Sequence, residues 1–95
     1  MKAKANYKPF LFHDEISERL RELNDGDKII IQDGETEKHI TCRESARFED
    51  GLVESYRRFE SSKGKVVPNI VDYLYEESEE GKHLFIIKDN ERQEF

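Results

Sequence analysis

The chain has 95 residues, of which 40% are charged, with 16 basic and 22 acidic side chains and a formal net charge of −6. That length makes one domain, with a radius of gyration of about 12 Å and a single modest core. Its 24 Leu, Ile, Val and Phe residues lift it above the composition of disordered chains. One cysteine excludes an internal disulfide and, with scattered histidines, a Cys/His zinc site, so a reducing, cytoplasmic setting is expected.

No apolar run exceeds four residues, so neither a signal peptide nor a membrane span is expected. Charge is uneven: residues 1–37 sum to −3, 38–66 to +2 and 67–95 to −5. A basic middle between acidic ends argues against broad nucleic-acid binding and leaves room for a local anion-facing patch.

In chain order, residues 1–6 read as a flexible tail and "YKPFLF" (7–12) as a short strand, which Pro9 restricts to an edge or to a strand start. Ile16, Leu20 and Leu23 then recur at helical spacing, predicting a helix over 15–24 with Asp14 as its N-cap. "DKIIIQDGETEKHITCR" predicts a β-hairpin turning at Asp33 and Gly34 in a type I′ turn. Alternation places Ile40 and Cys42 on one side of the return strand, with His39 and Thr41 on the other.

Leu52, Tyr56 and Phe59 return to helical spacing, predicting a second helix over 51–61 capped by Asp50 and weakened at Gly51. "SSKGKVVP" reads as a loop. Asn69 caps a third helix, with Asp72 in a capping-box position and Gly81 at its end. "HLFIIK" (83–88), apolar on both faces, predicts a central strand, and residues 90–95 a tail. The expectation is an α+β two-layer domain in the order (β)αββααβ, with a central hairpin and three helices on a mostly antiparallel sheet.

Chemistry is most strongly suggested by "CRESAR" (42–47). A thiolate cradle for phosphate needs five residues between cysteine and arginine. Only four separate Cys42 from Arg47, and no glycine loosens the loop. The opposite facing of His39 and Cys42 also denies a nucleophile–base pair. Cys42 therefore reads as a small buried hydrophobe, with a small enzyme built on it as the third-ranked function.

The Asp-Gly pairs lack the alternating oxygens of a calcium loop, and Lys63-Gly64-Lys65 lacks the flanks of a phosphate loop. No catalytic motif, metal site or cofactor site is found, so the expectation is a non-enzyme.

Two surface features remain. Glu76, Glu77, Glu79 and Glu80 crowd the end of the third helix, where carboxylates oppose the macrodipole. Either they form a solvated end, or they make, with Tyr73 and Tyr75, an acidic face for a basic partner. Arg47, Arg57, Arg58, Lys63 and Lys65 supply the basic middle, read as a nucleic-acid contact unless Arg57 and Arg58 are ion-paired with Glu54 and Glu60. The leading expectation is a small acidic protein-interaction module whose partner carries a basic surface. Regulators and phage- or plasmid-type inhibitors of nucleic-acid-handling proteins share this size and composition. Nucleic-acid binding is the alternative, and the uncovered edge of the hairpin would allow a homodimer.

Overall fold

A computed structural model describes residues 11–95. The strand expected over 7–12 falls largely outside them, and the two described residues of that stretch lead directly into a helix. The elements are α1 (His13–Arg21), β1 (Lys28–Asp33), β2 (Thr36–Glu49), β3 (Leu52–Ser61), α2 (Ile70–Glu79), β4 (His83–Lys88) and β5 (Glu91–Glu94). The strands form one five-stranded sheet in the order β3-β2-β1-β4-β5, antiparallel at every junction. The α+β class and the antiparallel sheet hold, while the described residues contain two helices where three were expected.

Both helices pack on one face of the sheet. Ile16, Leu20 and Leu23 meet Leu74 of α2 above Ile29, Ile31, Ile40, Cys42, Phe59, Leu84 and Ile86. These strand positions alternate along the pleat, which is why "III" in β1 sends its middle residue, Ile30, to the other face beside His39 and Phe85. Fully burying one such aliphatic side chain contributes roughly 1.5–3 kcal/mol, so this layer is the main source of stability.

Helix α1 starts two positions earlier than Asp14 as its cap would place it, with Phe12 at the N-cap. The Glu15 carboxylate accepts the Phe12 N–H at 3.0 Å and closes the first turn. Asn69 precedes α2 with φ of 50° and makes no side-chain cap, and Asp72 reaches across to His13 at 3.1 Å instead of back to its own helix. Stacking of His13 on Tyr75, 4.1 Å between ring centroids, joins the two helices at the same place.

Three tight turns set the sheet. β1 and β2 turn through Gly34 and Glu35, with Asp33 opposite Thr36. Only Gly34, at φ 63°, is left-handed, the sign pattern of a type II′ turn, one position along from the Asp33-Gly34 type I′ turn expected. β2 and β3 turn through Asp50 and Gly51, and β4 and β5 through Asp89 and Asn90. In both, each turn residue has positive φ, the type I′ pattern.

Two expectations are thereby corrected. Residues 51–61 form strand β3, not a helix, and Asp50 is a turn residue, not a helix cap. Residues 91–94 form an edge strand that returns on β4, not a tail. The radius of gyration, 15.2 Å, exceeds the compact expectation, and the molecule measures 61 × 26 × 24 Å. At about 3.3 Å per residue a strand as long as β2 must outrun so small a core.

Candidate functional site: the β2–β3 arm

β1 pairs with β2 only from Thr36 to Thr41, and the last buried residues of the two longest strands are Cys42 and Phe59, directly opposite each other. Beyond them β2 and β3 continue as a two-stranded ribbon to the turn at Asp50 and Gly51. Phe48, Leu52 and Val53 at its end are 78%, 72% and 65% exposed.

The base of the arm is firmly tied. Arg57 turns toward α1 and donates to the carbonyls of Leu20 and Leu23, both at 2.6 Å, with the Arg21 carbonyl at 3.5 Å. The Leu20 carbonyl also accepts the Leu23 N–H at 3.2 Å, and a cation at these carbonyls at and just past the helix end complements the helix dipole. On the opposite edge, the Asp25 carboxylate accepts the Glu44 N–H at 2.8 Å, where β1 has already ended.

Alternation sorts the ribbon into two faces. Glu44, Ala46 and Phe48 share the helix side with Val53, Ser55 and Arg57. Arg43, Ser45, Arg47 and Glu49 share the other with Leu52, Glu54, Tyr56 and Arg58. Three opposite pairs are complementary, since Phe48 faces Val53, Arg47 faces Glu54 and Glu44 faces Arg57, while Arg43 faces Arg58. Arg47 also lies over the Tyr56 ring, 5.5 Å from its centroid.

The basic residues singled out in the sequence therefore part company. Arg57 is a helix-capping brace at the foot of the arm. Arg58, on the opposite face, binds Glu60 at 2.6 Å and Ser45 at 2.9 Å, as expected for a residue paired with a neighbouring glutamate. Arg47 sits further out on the ribbon. Lys63 and Lys65 occupy the exposed turn after β3, whose main chain folds back through the Ser61 N–H to the Lys65 carbonyl at 2.8 Å.

The acidic cluster on α2 also divides. Glu77 is only 6% exposed and turns inward, bound by Lys82 and by Lys38 at 3.2 Å. Burial by itself would push its carboxyl up, but the hydrogen bonds from Lys82 and Lys38 outweigh it and hold the group below the usual carboxylate range. Lys82 also binds Glu80 at 3.0 Å, and Glu77 and Glu80 together raise its ammonium pKa. Glu76 and Glu79 face solvent. Tyr73, half-buried, leans on the Glu77 network, which raises its hydroxyl pKa through burial first and the carboxylate second, and Tyr75 lies against His13. Two carboxylates at this helix end thus have lysine partners that offset the unfavourable dipole.

Cys42 is fully buried against the helices, away from His39, and burial pushes its thiol up, away from the reactive thiolate. His13, His39 and His83 stand apart, and no metal-binding group of His, Cys, Asp or Glu occurs among the described residues. The largest surface depression described, about 480 Å³, lies between the end of β3 and the start of α2, with Val66, Pro68 and Val71 in its wall. It opens to solvent, and its one carboxylate, Asp72, is engaged by His13.

The apolar tip of the arm was missed in the sequence because its residues were assigned to a helix. The signal was present in the complementary order on either side of Asp50-Gly51. Phe48 and Val53, Arg47 and Glu54, and Glu44 and Arg57 are equidistant from the turn, as a hairpin requires. The chain matches no protein-family model, no curated protein and no solved structure. No helix among the described residues is long and apolar enough to cross a membrane.

Proposed function

We propose that the chain is a small acidic protein-interaction module that presents the β2–β3 arm to a protein partner with a basic surface. The observation that carries this reading is the exposure of Phe48 and Val53 on one face, and of Leu52 on the other, at the end of a ribbon that holds them outside the core. Single exposed apolar residues are ordinary, but Phe48 and Val53 side by side on one face of a projecting tip, with Leu52 on its other face, form the kind of apolar end that partners bury.

Each such side chain, once buried, contributes roughly 1.5–3 kcal/mol before the costs of association are subtracted. Asp50 lies at the turn beside these residues, and Glu49 and Glu54 flank Leu52 on its face. The fitting partner has an apolar recess rimmed by lysine or arginine, as on a nucleic-acid-handling protein, which this chain would regulate or inhibit. Charge complementarity would speed association at low salt. The single cysteine suits a cytoplasmic setting.

The test compares capture of partners by the wild-type chain, by an arm variant (Phe48→Ser, Leu52→Ser) and by an α2 variant (Glu76→Lys, Glu79→Lys). A partner lost by the arm variant and kept by the α2 variant is the expected result. The reverse pattern would move the interface to the acidic helix and overturn the assignment to the arm.

A second reading rests on Arg43, Arg47, Arg58 and Tyr56 sharing one face of the ribbon. Such a basic and aromatic face could contact nucleic acid. Salt-sensitive retention on heparin that Arg47→Ala weakens would favour it over the first reading.

A further inference from the structure

We propose that two copies of this chain pair through the outer edge of β3, antiparallel and centred on Ser55. β3 is the last strand of the sheet. In the β2–β3 hairpin its even-numbered residues bond to β2, because Glu49 and Leu52 close the two-residue turn. The main-chain groups of Val53, Ser55, Arg57, Phe59 and Ser61 therefore point outward.

Phe59 and Ser61 are already engaged: the Val67 N–H donates to the Phe59 carbonyl at 2.7 Å, and the Ser61 N–H donates to Lys65 at 2.8 Å. Val53, Ser55 and Arg57 have no such cover among the described residues. An open row of N–H and C=O groups is a template for another strand, and natural edges are usually blocked. Here the 65–67 segment blocks only the part of the edge beside the core. On β2, the corresponding open row is shorter, since Asp25 takes the Glu44 N–H.

Identical strands related by a two-fold axis pair antiparallel. Three registers suit this edge, and two of them fail. Centring on Glu54 sets that carboxylate against its own copy, a like-charge pair. Centring on Tyr56 sets Val53 against the other copy's Phe59, whose carbonyl Val67 already holds.

Centring on Ser55 matches Ser55 with its copy and Val53 with Arg57, and so satisfies every open group. It opposes Glu54 to Tyr56 and brings Glu54 diagonally within reach of Arg58 in the other copy. Glu54 has no ion-pair partner within its own chain among the described residues, so the charges are complementary. The turn at Asp50 and Gly51 of one copy would end beside Phe59 of the other, where the 65–67 segment takes over the edge. Two marginal ribbons would become one four-stranded arm, and three or more strands are what a ribbon needs for independent stability.

The test uses the full chain. Light scattering over a dilution series should show a dimer that dissociates on dilution. Ser55→Pro removes an outward N–H and no bond to β2, and should raise the dissociation constant about tenfold or more, with the circular dichroism spectrum unchanged. Should that variant unfold, Ser55→Cys decides.

In the proposed register the two copies of residue 55 have Cα atoms about 5.5 Å apart, within disulfide reach. The two copies of residue 53 would be about 13 Å apart. Mild oxidation should therefore link Ser55→Cys into a disulfide dimer and leave Val53→Cys and the wild type, with Cys42 buried, unlinked. A wild type that stays monomeric at every concentration overturns the proposal. So does a dimer indifferent to Ser55→Pro, or linkage at residue 53 in place of 55. None of these results depends on capturing the basic partner, so the two proposals fail independently.

Discussion

Removing the Arg57 side chain tests the geometry at the foot of the arm. Its guanidinium makes two 2.6 Å bonds to the carbonyls of Leu20 and Leu23, and lies 3.8 Å from the Glu44 carboxylate. A hydrogen bond involving a charged group contributes about 1.5–3 kcal/mol. The side chain is 32% exposed, so water can replace part of what is lost. Discounting by about half for that exposure leaves about 2 kcal/mol for Arg57→Ala. For a domain of this size, that lowers Tm by about 8–16 °C.

Thermal melting followed by circular dichroism reads the change, and Arg57→Lys provides the control. An ammonium can be placed near one carbonyl but cannot span two as the planar fork does, so it should recover less than half of the loss. A fall in Tm of less than about 3 °C for Arg57→Ala would refute the reasoning. In a helix over 51–61 Arg57 would lie at the solvent side and its loss would be nearly silent, so the experiment also separates the strand from the helix.

The Glu77 network predicts an acid-sensitive stability. A carboxyl held below its ordinary value, about 4.3, stabilises the fold above that value and loses the contribution as pH falls through the lower folded value. Glu77→Gln should therefore have a lower urea midpoint than wild type at neutral pH, with the two midpoints converging below about pH 4. Lys82, raised by Glu77, keeps its contribution below its unfolded value and through the alkaline range, so no loss is expected between neutrality and mild alkali. Gly51 holds φ at 80°, and Gly51→Ala should cost about 1 kcal/mol at the turn. Hydrogen exchange should read this as faster exchange at Arg47 and Glu54, whose amides bond across the ribbon, with little change at Ile29 or Ile86. Cys42 should resist iodoacetamide at neutral pH in the native protein and react once urea unfolds it, as mass spectrometry would show; rapid native labelling would reopen a thiol-based activity.

What could be read in advance followed the core. Ile16, Leu20 and Leu23 reported a helix because one face of it is buried, and β1 and β4 reported strands because the sheet buries their alternate residues. The face assignment of His39 and Cys42 came from pleating alone. β3 was misread for the complementary reason. Most of it lies beyond the core, so neither face carries the apolar alternation that burial selects, and Leu52, Tyr56 and Phe59 fit helical spacing by coincidence. β5 has no apolar residue in Glu91–Glu94, which suits an exposed edge and leaves no hydrophobic signal. The Asp50-Gly51 and Asp89-Asn90 turns were the more reliable clue, because residues that tolerate positive φ are demanded by hairpins regardless of burial. Glu77 could not be placed from sequence at all, since its lysine partners come from β2 and from the residue just past Gly81.

The arm raises a physical question that its own chain does not answer. A two-stranded ribbon in water is marginal, yet this one carries three exposed apolar residues at its tip and an open edge along β3. Natural sequences blunt such edges with charge, proline or a bulge. Here Val53 and Ser55 supply none of these, and the nearest arginine, Arg57, is turned away to cap α1. The edge and the tip patch face different directions. Pairing along β3 would use main-chain groups in the plane of the sheet, while Phe48 and Val53 project from its face. Self-pairing would therefore leave the apolar face free and double it, presenting two copies of Phe48 and of Val53 on one four-stranded surface. A partner with two basic-rimmed recesses would gain from that arrangement through effective concentration, without any new kind of contact. If the chain is a dimer, variants that break the β3 edge should weaken partner capture as well as self-association. Tip variants at Phe48 and Leu52 should weaken capture alone.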